Sequence, residues 1–268
     1  MLLNGKVAVI TGASMGIGEA IAKLFADEGA NVVLSSRDLS RAEAARARIG
    51  HQDRTMAVAC DVRHREEIER LMSLTLHNFG RVDIWVNNAG HGLLDTVAAT
   101  DMKACREMFD TNLFGAVDGM QVAAAQMKQQ GGGTIINISS VAAYIASPPG
   151  VAYAATKHAL NAFGRGARLE LRNHGINVLT VCPGFIKTNF MENTIRGERY
   201  ADGPKSPIGA TPERVARATL RGYLKGKREV VVPWYYHLAI KLNQLFPGLL
   251  ERGLREARRR QGISLTNK

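Results

Sequence analysis

The chain has 268 residues, of which 46% are hydrophobic and 22% charged, a composition typical of an ordinary globular protein. Its three cysteines (Cys60, Cys105 and Cys182) are far apart and lack CxxC or Cys/His ligand spacing. This spacing argues against a disulfide framework and a metal site, and it favours a reducing compartment. No stretch reaches the ~20 apolar residues of a membrane span, and no secretory signal pattern is visible, so we expect a cytoplasmic protein.

The net charge of +11 is unevenly distributed along the chain. From Arg221 onward, eleven Lys or Arg residues accompany three Glu residues, so this last part carries +8 of the total. A basic C-terminal segment on a nearly neutral body is a local feature, not the composition of a nucleic-acid-binding domain. We therefore expect no nucleic-acid partner.

Short runs of β-branched residues alternate with longer helical patterns along the chain. Strands are predicted at residues 6–11, 31–37, 55–62, 82–87, 133–139, 176–182 and 229–233. Helices are predicted at residues 17–28, 41–49, 65–79, 105–129, 153–174 and 212–224. This alternation predicts a single domain with a doubly wound parallel sheet, a Rossmann-like α/β fold with about seven strands and helices on both faces.

Two segments stand apart from this pattern. Residues 189–211 are rich in Gly, Pro, Asn and charge and follow the sixth predicted strand, at the sheet edge where α/β proteins bind ligands. We expect a mobile substrate loop there, an ordinary surface loop being the alternative. Residues 234–268 form a basic, amphipathic C-terminal extension beyond the last predicted strand.

A glycine-rich turn joins the first predicted strand to the first helix, with the sequence Thr11-Gly-Ala-Ser-Met-Gly-Ile-Gly18. Gly12 permits the tight turn, and Gly16 and Gly18 let backbone amides approach a pyrophosphate at the helix N-terminus. The second strand ends in Ser36-Arg37, where NAD-binding proteins carry an acidic residue. A guanidinium can bind a 2′-phosphate, whereas a carboxylate repels it, so the pattern favours NADP(H) over NAD(H).

Tyr153 and Lys157 are spaced i, i+4 near the start of a predicted helix, so their side chains share one face. A phenol with its ordinary pKa of about 10 is a poor base at neutral pH. An ammonium one turn away is expected to lower the pKa of Tyr153, which makes the pair suitable for general acid–base catalysis on a carbonyl or an alcohol. The hydroxyl of Ser140, after the preceding strand, could donate a hydrogen bond to the developing alkoxide.

The sequence resembles the short-chain dehydrogenase/reductase superfamily from Lys6 to about Pro233. Its motifs occur in the family's order: TGxxxGxG from Thr11, Asp61-Val62, Asn87-Asn88-Ala89-Gly90, Asn112, Ser140, Tyr153-x-x-x-Lys157 and Pro183-Gly-x-x-x-Thr188. The resemblance implies that residues 1–233 are an NADP-binding catalytic domain, and that the protein is a homodimer or homotetramer acting on a small carbonyl or alcohol.

The resemblance also implies roles for individual residues. Tyr153 would be the acid/base, Lys157 would tune it and bind the nicotinamide ribose, Ser140 would orient the substrate oxygen, and Asn112 would hold a water that links Lys157 to solvent. The implied cofactor contacts, besides Tyr153 and Lys157, are Gly12, Ser14, Met15, Gly16, Ile17, Gly18, Ser36, Arg37, Asp61, Val62, Asn88, Ala89, Gly90, Pro183, Gly184, Ile186 and Thr188.

The substrate is less well defined by the sequence. Four apolar residues are expected near the cleft and favour a hydrophobic ketone or aldehyde: Tyr144, Phe185, Phe190 and Met191. His91 is expected either to line the substrate pocket or to be structural. A 3-oxoacyl thioester reductase acting on carrier-bound chains is the alternative enzyme, and a dinucleotide-binding scaffold without turnover is the lesser alternative because the implied catalytic set is complete.

The C-terminal extension allows two interpretations. Leu238, Leu242, Leu245 and Leu249 recur at helical spacing, but Pro247-Gly248 interrupts the run. A second predicted helix carries Arg252, Arg255, Arg258, Arg259 and Arg260. Together with Trp234-Tyr235-Tyr236, this composition suits peripheral contact with an anionic membrane. Packing on the body or on a neighbouring subunit is the favoured interpretation.

Overall fold

Strands and helices alternate through almost the whole structure, a computed structural model that describes residues 1–197, 200, 209–248 and 251–253. The strands are β1 (Val7–Ile10), β2 (Asn31–Ser36), β3 (Thr55–Ala59), β4 (Ile84–Asn87), β5 (Leu93–Leu94), β6 (Gly133–Ile138), β7 (Ile176–Pro183), β8 (Ile195–Arg196) and β9 (Glu229–Val232). The helices are α1 (Gly16–Asp27), α2 (Leu39–Ile49), α3 (Arg65–Phe79), α4 (Met102–Phe109), α5 (Gly115–Gln129), α6 (Val151–Leu171), α7 (Pro212–Leu224) and α8 (Tyr236–Leu245).

Seven of these strands form one sheet in the order β3-β2-β1-β4-β6-β7-β9, and every neighbouring pair is parallel. The strand order reverses between β1 and β4, so the loops after these two strands diverge to opposite sides and leave a crevice at the carboxyl edge. The predicted Rossmann-like fold with about seven strands is therefore confirmed. A short parallel pair, β5 with β8, was not expected from the sequence.

The sheet is buried on both faces, which explains why strands such as β1 are continuously apolar. On one face, Ala8 and Ile10 of β1 belong to a core cluster that includes Phe25 of α1 and residues of α2 and α7. On the other face, Val9 belongs to a cluster that includes Leu71 of α3 and residues of α5 and α6. This two-sided core holds the carboxyl ends of the strands, and the loops that follow them, in fixed positions.

The helix predicted at residues 105–129 differs in the structure. It begins earlier, at Met102, because Asp101 caps it by accepting a hydrogen bond from the Lys103 backbone N–H at 2.8 Å. It is also interrupted by a π-helical turn at Asp110–Phe114, which separates α4 from α5. A π-helical turn holds one more residue than an α-helical turn, and the spacing of apolar residues in the sequence does not reveal it. π-Helical turns are frequent at functional sites.

The two unusual segments are partly described. Within residues 189–211, residues 198–199 and 201–208 lie outside the described part of the chain. The mobile substrate loop expected in this segment therefore stays a prediction. The remainder is not wholly irregular, since it contains β8, which pairs with β5. In the extension, α8 packs on the body through Ile240, which is buried with Val141, Cys182 and Val231.

The second, basic helix predicted in the extension falls mainly on residues 249–250 and 254–268, outside the described part of the chain. The boundary at residue 233 between domain and extension stays a prediction. Among the described residues, no helix combines the length and the apolar character needed to cross a bilayer.

Candidate active site

A cleft of about 1920 Å³ lies at the carboxyl edge of the sheet. Nearly all of the sequence-predicted site residues line it: Gly12, Ser14, Met15, Gly16, Ile17, Ser36, Arg37, Asp61, Val62, Asn88, Ala89, Gly90, Ser140, Tyr153, Lys157, Pro183, Gly184, Ile186 and Thr188. The two others, Gly18 and Asn112, lie behind its wall. Parallel strands all end at this edge, and for that reason residues from distant parts of the sequence meet there.

The glycine-rich turn leaves no space for a side chain at Gly12 or Gly18. Gly12 has φ +63°, and a Cβ there would lie 2.7 Å from the Cα of Ala89. A Cβ on Gly18 would overlap the side-chain amide of Asn88, which donates hydrogen bonds of 2.9 Å to the carbonyl oxygens of Thr11 and Gly12. These contacts hold the turn after β1 against the loop after β4.

The N-terminus of α1 opens into the cleft. The helix begins at Gly16, and the preceding Met15 is extended and provides no side-chain cap. Gly16 and Ile17 line the cleft. Backbone N–H groups of an uncapped first turn are suited to an anion, so the turn fits the pyrophosphate of a dinucleotide.

Two arginines lie at the far end of the cleft, after β2. Arg37 is exposed, and its guanidinium has no hydrogen bond or ion pair within the described residues. Arg41, in the first turn of α2, also lines the cleft, and its Nη2 lies 3.6 Å from the Met15 sulfur. The sequence interpretation missed Arg41, although its i, i+4 spacing from Arg37 across a helix start was a usable signal.

The carboxylate next to these arginines is already engaged. Asp38 caps α2, and its Oδ1 accepts hydrogen bonds from the Ser40 hydroxyl at 2.6 Å and the Ser40 N–H at 2.8 Å. These bonds hold the pKa of Asp38 below its ordinary value. Asp38 is thus occupied within its own helix, which leaves Arg37 and Arg41 as the groups able to receive an anion.

Asp61 follows β3 and is held by a neighbour. Its two oxygens accept hydrogen bonds from Arg63, at 3.0 Å from Nε and 2.5 Å from Nη2. Although burial raises the pKa of Asp61, the hydrogen bonds from Arg63 outweigh it and bring the pKa below its ordinary value. Asp61 is therefore an ionised, fixed acceptor beside the cleft.

The predicted acid/base group lies at the inner end of the cleft. Tyr153 and Lys157 are on the first two turns of α6, and Lys157 Nζ lies 5.7 Å from the centre of the Tyr153 ring. Lys157 Nζ donates a hydrogen bond of 3.0 Å to the Ile138 carbonyl at the end of β6. Ser140 follows the same strand, hydrogen-bonds Tyr153, and donates at 3.4 Å to the Pro183 carbonyl.

The pKa values in this group differ from the sequence-based expectation. Burial raises the pKa of Tyr153 to about 12, against the smaller, opposite effect of the Ser140 hydrogen bond. Burial also lowers the pKa of Lys157 to about 8. The expectation of a lowered pKa for Tyr153 is wrong, because the effect of burial dominates. At neutral pH the phenol is protonated and can donate a proton.

Asn112 lies in the π-helical turn and is buried. Its side chain accepts a hydrogen bond from the His91 N–H at 3.0 Å, and donates to the His91 carbonyl at 2.9 Å and to Thr156 Oγ1 at 3.3 Å. The amide thus fixes the loop after β4 against α6. The expectation that Asn112 holds a water for Lys157 stays a prediction.

His91 lines the cleft and is also structural through its backbone, which Asn112 holds. Burial lowers the pKa of its imidazole, so the ring is neutral at neutral pH. Phe185, Phe190 and Met191 line the cleft as expected. Phe190 also contacts Tyr153 edge to face, with ring centres 5.6 Å apart.

Tyr144, which was expected near the cleft, lies next to lining residues but does not itself line the cleft. Its hydroxyl donates to Glu229 of β9 and accepts a hydrogen bond of 2.9 Å from Arg165, so this side chain turns toward polar partners beside the cleft. Ile145, the next residue, lines the cleft instead.

The C-terminal extension contributes residues that the sequence interpretation missed. Tyr236 and Ala239 of α8 line the cleft. A Cβ on Gly184 would overlap the Tyr236 ring, so the absence of a side chain at Gly184 lets α8 approach the end of β7. Asn243 Nδ2 fastens the same helix by donating a hydrogen bond of 2.9 Å to the Tyr144 carbonyl.

Known proteins share both the sequence and this architecture. The profile of the short chain dehydrogenase family matches residues 6–199. An uncharacterised oxidoreductase of Staphylococcus saprophyticus is 37% identical over 76% of this chain and 88% of its own length. The Xenopus laevis dehydrogenase/reductase SDR family member 7B is 34% identical over 92% of this chain and 80% of its own.

Solved structures of similar fold support the same relationship. A short chain dehydrogenase/reductase of Burkholderia phymatum in complex with NAD has a TM-score of 0.83 and 25% identity, and the match covers 93% of this chain and 96% of that one. A 3-ketoacyl-(acyl-carrier-protein) reductase of Brucella melitensis complexed with NADH has a TM-score of 0.77 and 28% identity, and covers 86% and 97%. The chain belongs to the short-chain dehydrogenase/reductase superfamily and is an oxidoreductase of that family.

Proposed function

We propose that this oxidoreductase uses NADPH to reduce a hydrophobic ketone or aldehyde to the alcohol. The observation that carries the proposal is the arrangement of Tyr153, Lys157 and Ser140 at one end of a cleft whose other end holds Arg37. A proton donor lies at one end of this glycine-lined cleft, and at the other end lies a cation that forms no ion pair with the described residues. The two groups match the nicotinamide end and the 2′-phosphate end of a phosphorylated dinucleotide beside a carbonyl.

A nicotinamide cofactor held in the cleft would supply the hydride that reduces the carbonyl carbon. Tyr153 donates its phenolic proton to the carbonyl oxygen, so hydride and proton together yield the alcohol. The Ser140 hydroxyl donates a hydrogen bond to the same oxygen as negative charge develops. Lys157, charged below its pKa of about 8, stabilises the phenolate that Tyr153 becomes, and binds the nicotinamide ribose.

The remaining site residues would hold the cofactor along the cleft. The turn from Gly12 to Gly18, which includes Ser14, Met15, Gly16 and Ile17, would hold the pyrophosphate. The 2′-phosphate would be bound by Ser36, Arg37 and Arg41. The adenine would contact Asp61 and Val62, and the ribose would contact Asn88, Ala89 and Gly90. The carboxamide would contact Pro183, Gly184, Ile186 and Thr188. The guanidinium of Arg37, which has no hydrogen bond or ion pair among the described residues, supports NADP(H) over NAD(H), and the neighbouring carboxylate of Asp38 caps α2 through its Oδ1.

The substrate end of the cleft supports a hydrophobic carbonyl. Phe185, Phe190, Met191, Tyr236 and Ala239 line it, and each presents apolar surface to a ligand. A 3-oxoacyl thioester reductase is a second candidate, favoured by the likeness to the Brucella melitensis reductase and by the basic C-terminal segment, which suits an acidic carrier. A scaffold without turnover is disfavoured, since Tyr153, Lys157 and Ser140 are assembled in contact distance.

We further infer that residues 1–233 form the NADP-binding catalytic domain of a cytoplasmic homodimer or homotetramer. Apolar side chains exposed on α6, at Phe163 and Leu169, support self-association through this helix.

The proposal is tested by measuring oxidation of NADPH and NADH, from the absorbance of the reduced nicotinamide, with a series of free ketones, aldehydes and carrier-bound 3-oxoacyl thioesters. Turnover of free apolar carbonyls with NADPH is the expected result. Turnover restricted to the carrier-bound series would favour the second candidate. The scaffold would be favoured if the protein binds the dinucleotide but neither reduces any of these compounds nor oxidises the corresponding alcohols.

A further inference from the structure

The helix α8 has two apolar faces. One faces the body, with Tyr236 and Ala239 at the cleft and Ile240 buried. The other faces solvent, where Leu238, Leu242 and Leu245 are 62%, 41% and 70% exposed. Helical spacing places these three leucines on one stripe. Trp234, just before the helix, is 73% exposed.

A basic groove of about 220 Å³ lies between α7 and β9 and extends to Trp234, two residues before α8 begins. Its charged lining consists of Arg214, Arg221, Lys225 and Lys227, and Trp234 forms its edge. No carboxylate lines the groove, and no ion pair to these four cations occurs in the part of the chain that the structure describes. The groove is therefore a concentrated positive site next to exposed aromatic and aliphatic surface.

The charge distribution identifies the kind of partner. In a symmetric dimer through this surface, the same patch of each copy faces the other, so the cations of two grooves would approach one another. Like charges brought together at an interface are destabilising. The surface instead suits a partner that is anionic and also accepts Trp and Leu side chains. The surface of a bilayer with anionic lipids has both properties, and Trp and Tyr are enriched at its headgroup level.

We propose that the outer stripe of α8, Trp234 and the basic groove together bind the surface of an anionic membrane. The cations contact lipid phosphates while the tryptophan and leucines enter the boundary between headgroups and acyl chains. Because the opposite face of α8 lines the cleft, binding brings one wall of the cleft next to the membrane. This last consequence rests on the proposed function, whereas membrane binding itself does not.

Cosedimentation of the full-length protein with vesicles tests the proposal. One set of vesicles is phosphatidylcholine alone, and the other contains about one third phosphatidylglycerol, each at low and high salt. Binding to the anionic vesicles at low salt is expected, with a decrease at high salt because screening shortens the range of the charges. Since this readout involves no turnover, its failure is distinct from a failure of the proposed enzymatic activity.

Two double variants locate the binding surface. Leu238→Ser with Leu242→Ser removes the stripe, and Lys225→Gln with Lys227→Gln removes two groove cations; each is expected to weaken binding on the order of tenfold or more. Leu74→Ser is the apolar control, since Leu74 is a 36% exposed leucine on α3. Lys103→Gln with Lys128→Gln is the charge control on α4 and α5. Unchanged melting temperatures verify that all variants are folded.

Three outcomes would overturn the proposal. The first is no binding of the full-length protein to anionic vesicles at low salt. The second is binding that neither double variant weakens more than its control does. The third is loss of a dimer, measured by light scattering, in the Leu238/Leu242 variant without loss of vesicle binding, which would assign the stripe to a second copy of the chain.

Discussion

Lys157 Nζ lies 5.7 Å from the centre of the Tyr153 ring and donates its hydrogen bond, at 3.0 Å, to the Ile138 carbonyl. The lysine is thus fixed by the sheet while it faces the phenol from one helical turn away. In the proposed mechanism Lys157 acts on the phenolate of Tyr153 through its charge, and that charge depends on a pKa that burial has lowered to about 8. The pair is therefore sensitive both to substitution and to pH.

Substitution of Tyr153 by Phe is expected to abolish turnover while the cofactor still binds. The change removes the phenolic proton but keeps the ring and its edge contact with Phe190. General acid–base catalysis contributes at least ~10²-fold, so kcat should fall by that factor or more. Steady-state kinetics and NADPH titration by fluorescence measure the two effects. Near-normal turnover in a folded Tyr153→Phe protein would contradict the role of Tyr153.

The rate of carbonyl reduction is expected to fall as the pH rises through about 8, the lowered pKa of Lys157. Below that pH the ammonium is charged and stabilises the phenolate; above it the charge is lost. The profile of kcat/KM against pH measures this. In Lys157→Arg the cation persists to higher pH. The decrease in kcat/KM should therefore occur at a higher pH, even though the absolute rate is lower. A decrease at an unchanged pH would show that another group titrates.

Substitution of Arg37 by Ala is expected to weaken NADPH binding by ten- to hundredfold, because a charge-assisted contact of roughly 1.5–3 kcal/mol is lost. The affinity for NADH, which lacks the 2′-phosphate, is the internal control and should change little. Arg41→Ala should show the same selectivity to a smaller extent. Equal affinities for NADPH and NADH in the unmodified protein would refute this assignment.

Substitution of Gly12 by Ala is expected to cost more stability than substitution of Gly80 by Ala. Both glycines have positive φ, +63° and +74°, but a Cβ on Gly80 meets open space while one on Gly12 would press on Ala89. Gly80→Ala therefore measures the conformational cost alone, about 1–2 kcal/mol. Denaturant unfolding compares the two variants, and only Gly12→Ala should also lose dinucleotide binding. Equal destabilisation would mean that the turn relaxes around the added methyl group.

Substitution of Tyr236 by Ala is expected to raise KM for apolar carbonyls by roughly tenfold, since the variant removes apolar surface from the cleft wall. NADPH affinity should remain within a few-fold of the original value. His237→Ala is the matched control, because His237 lies on the same helix and is exposed. A Tyr236→Ala enzyme with unchanged KM for every carbonyl tested would exclude α8 from the substrate site.

Local patterns were sufficient to predict the sheet and most of the candidate site. Continuous apolar runs such as Val7–Ile10 indicate strands covered on both faces. Once the strands are parallel, every residue just after a strand lies at one edge, so Gly12, Asn88 and Ser140 meet although they are distant in sequence. The Tyr153/Lys157 pair needed only the helical period to be placed on a common face.

Other features depend on contacts between distant segments, which no local pattern records. Burial set the pKa directions of Tyr153 and Lys157, and burial is a property of the packed protein. Tyr236 reaches the cleft only because Gly184, about fifty residues earlier in the chain, leaves space for its ring. The sequence by itself determined which residues have the chemistry for catalysis. The tertiary structure decided their protonation and which part of the C-terminal extension lines the cleft, because desolvation and steric fit arise only when the elements pack together.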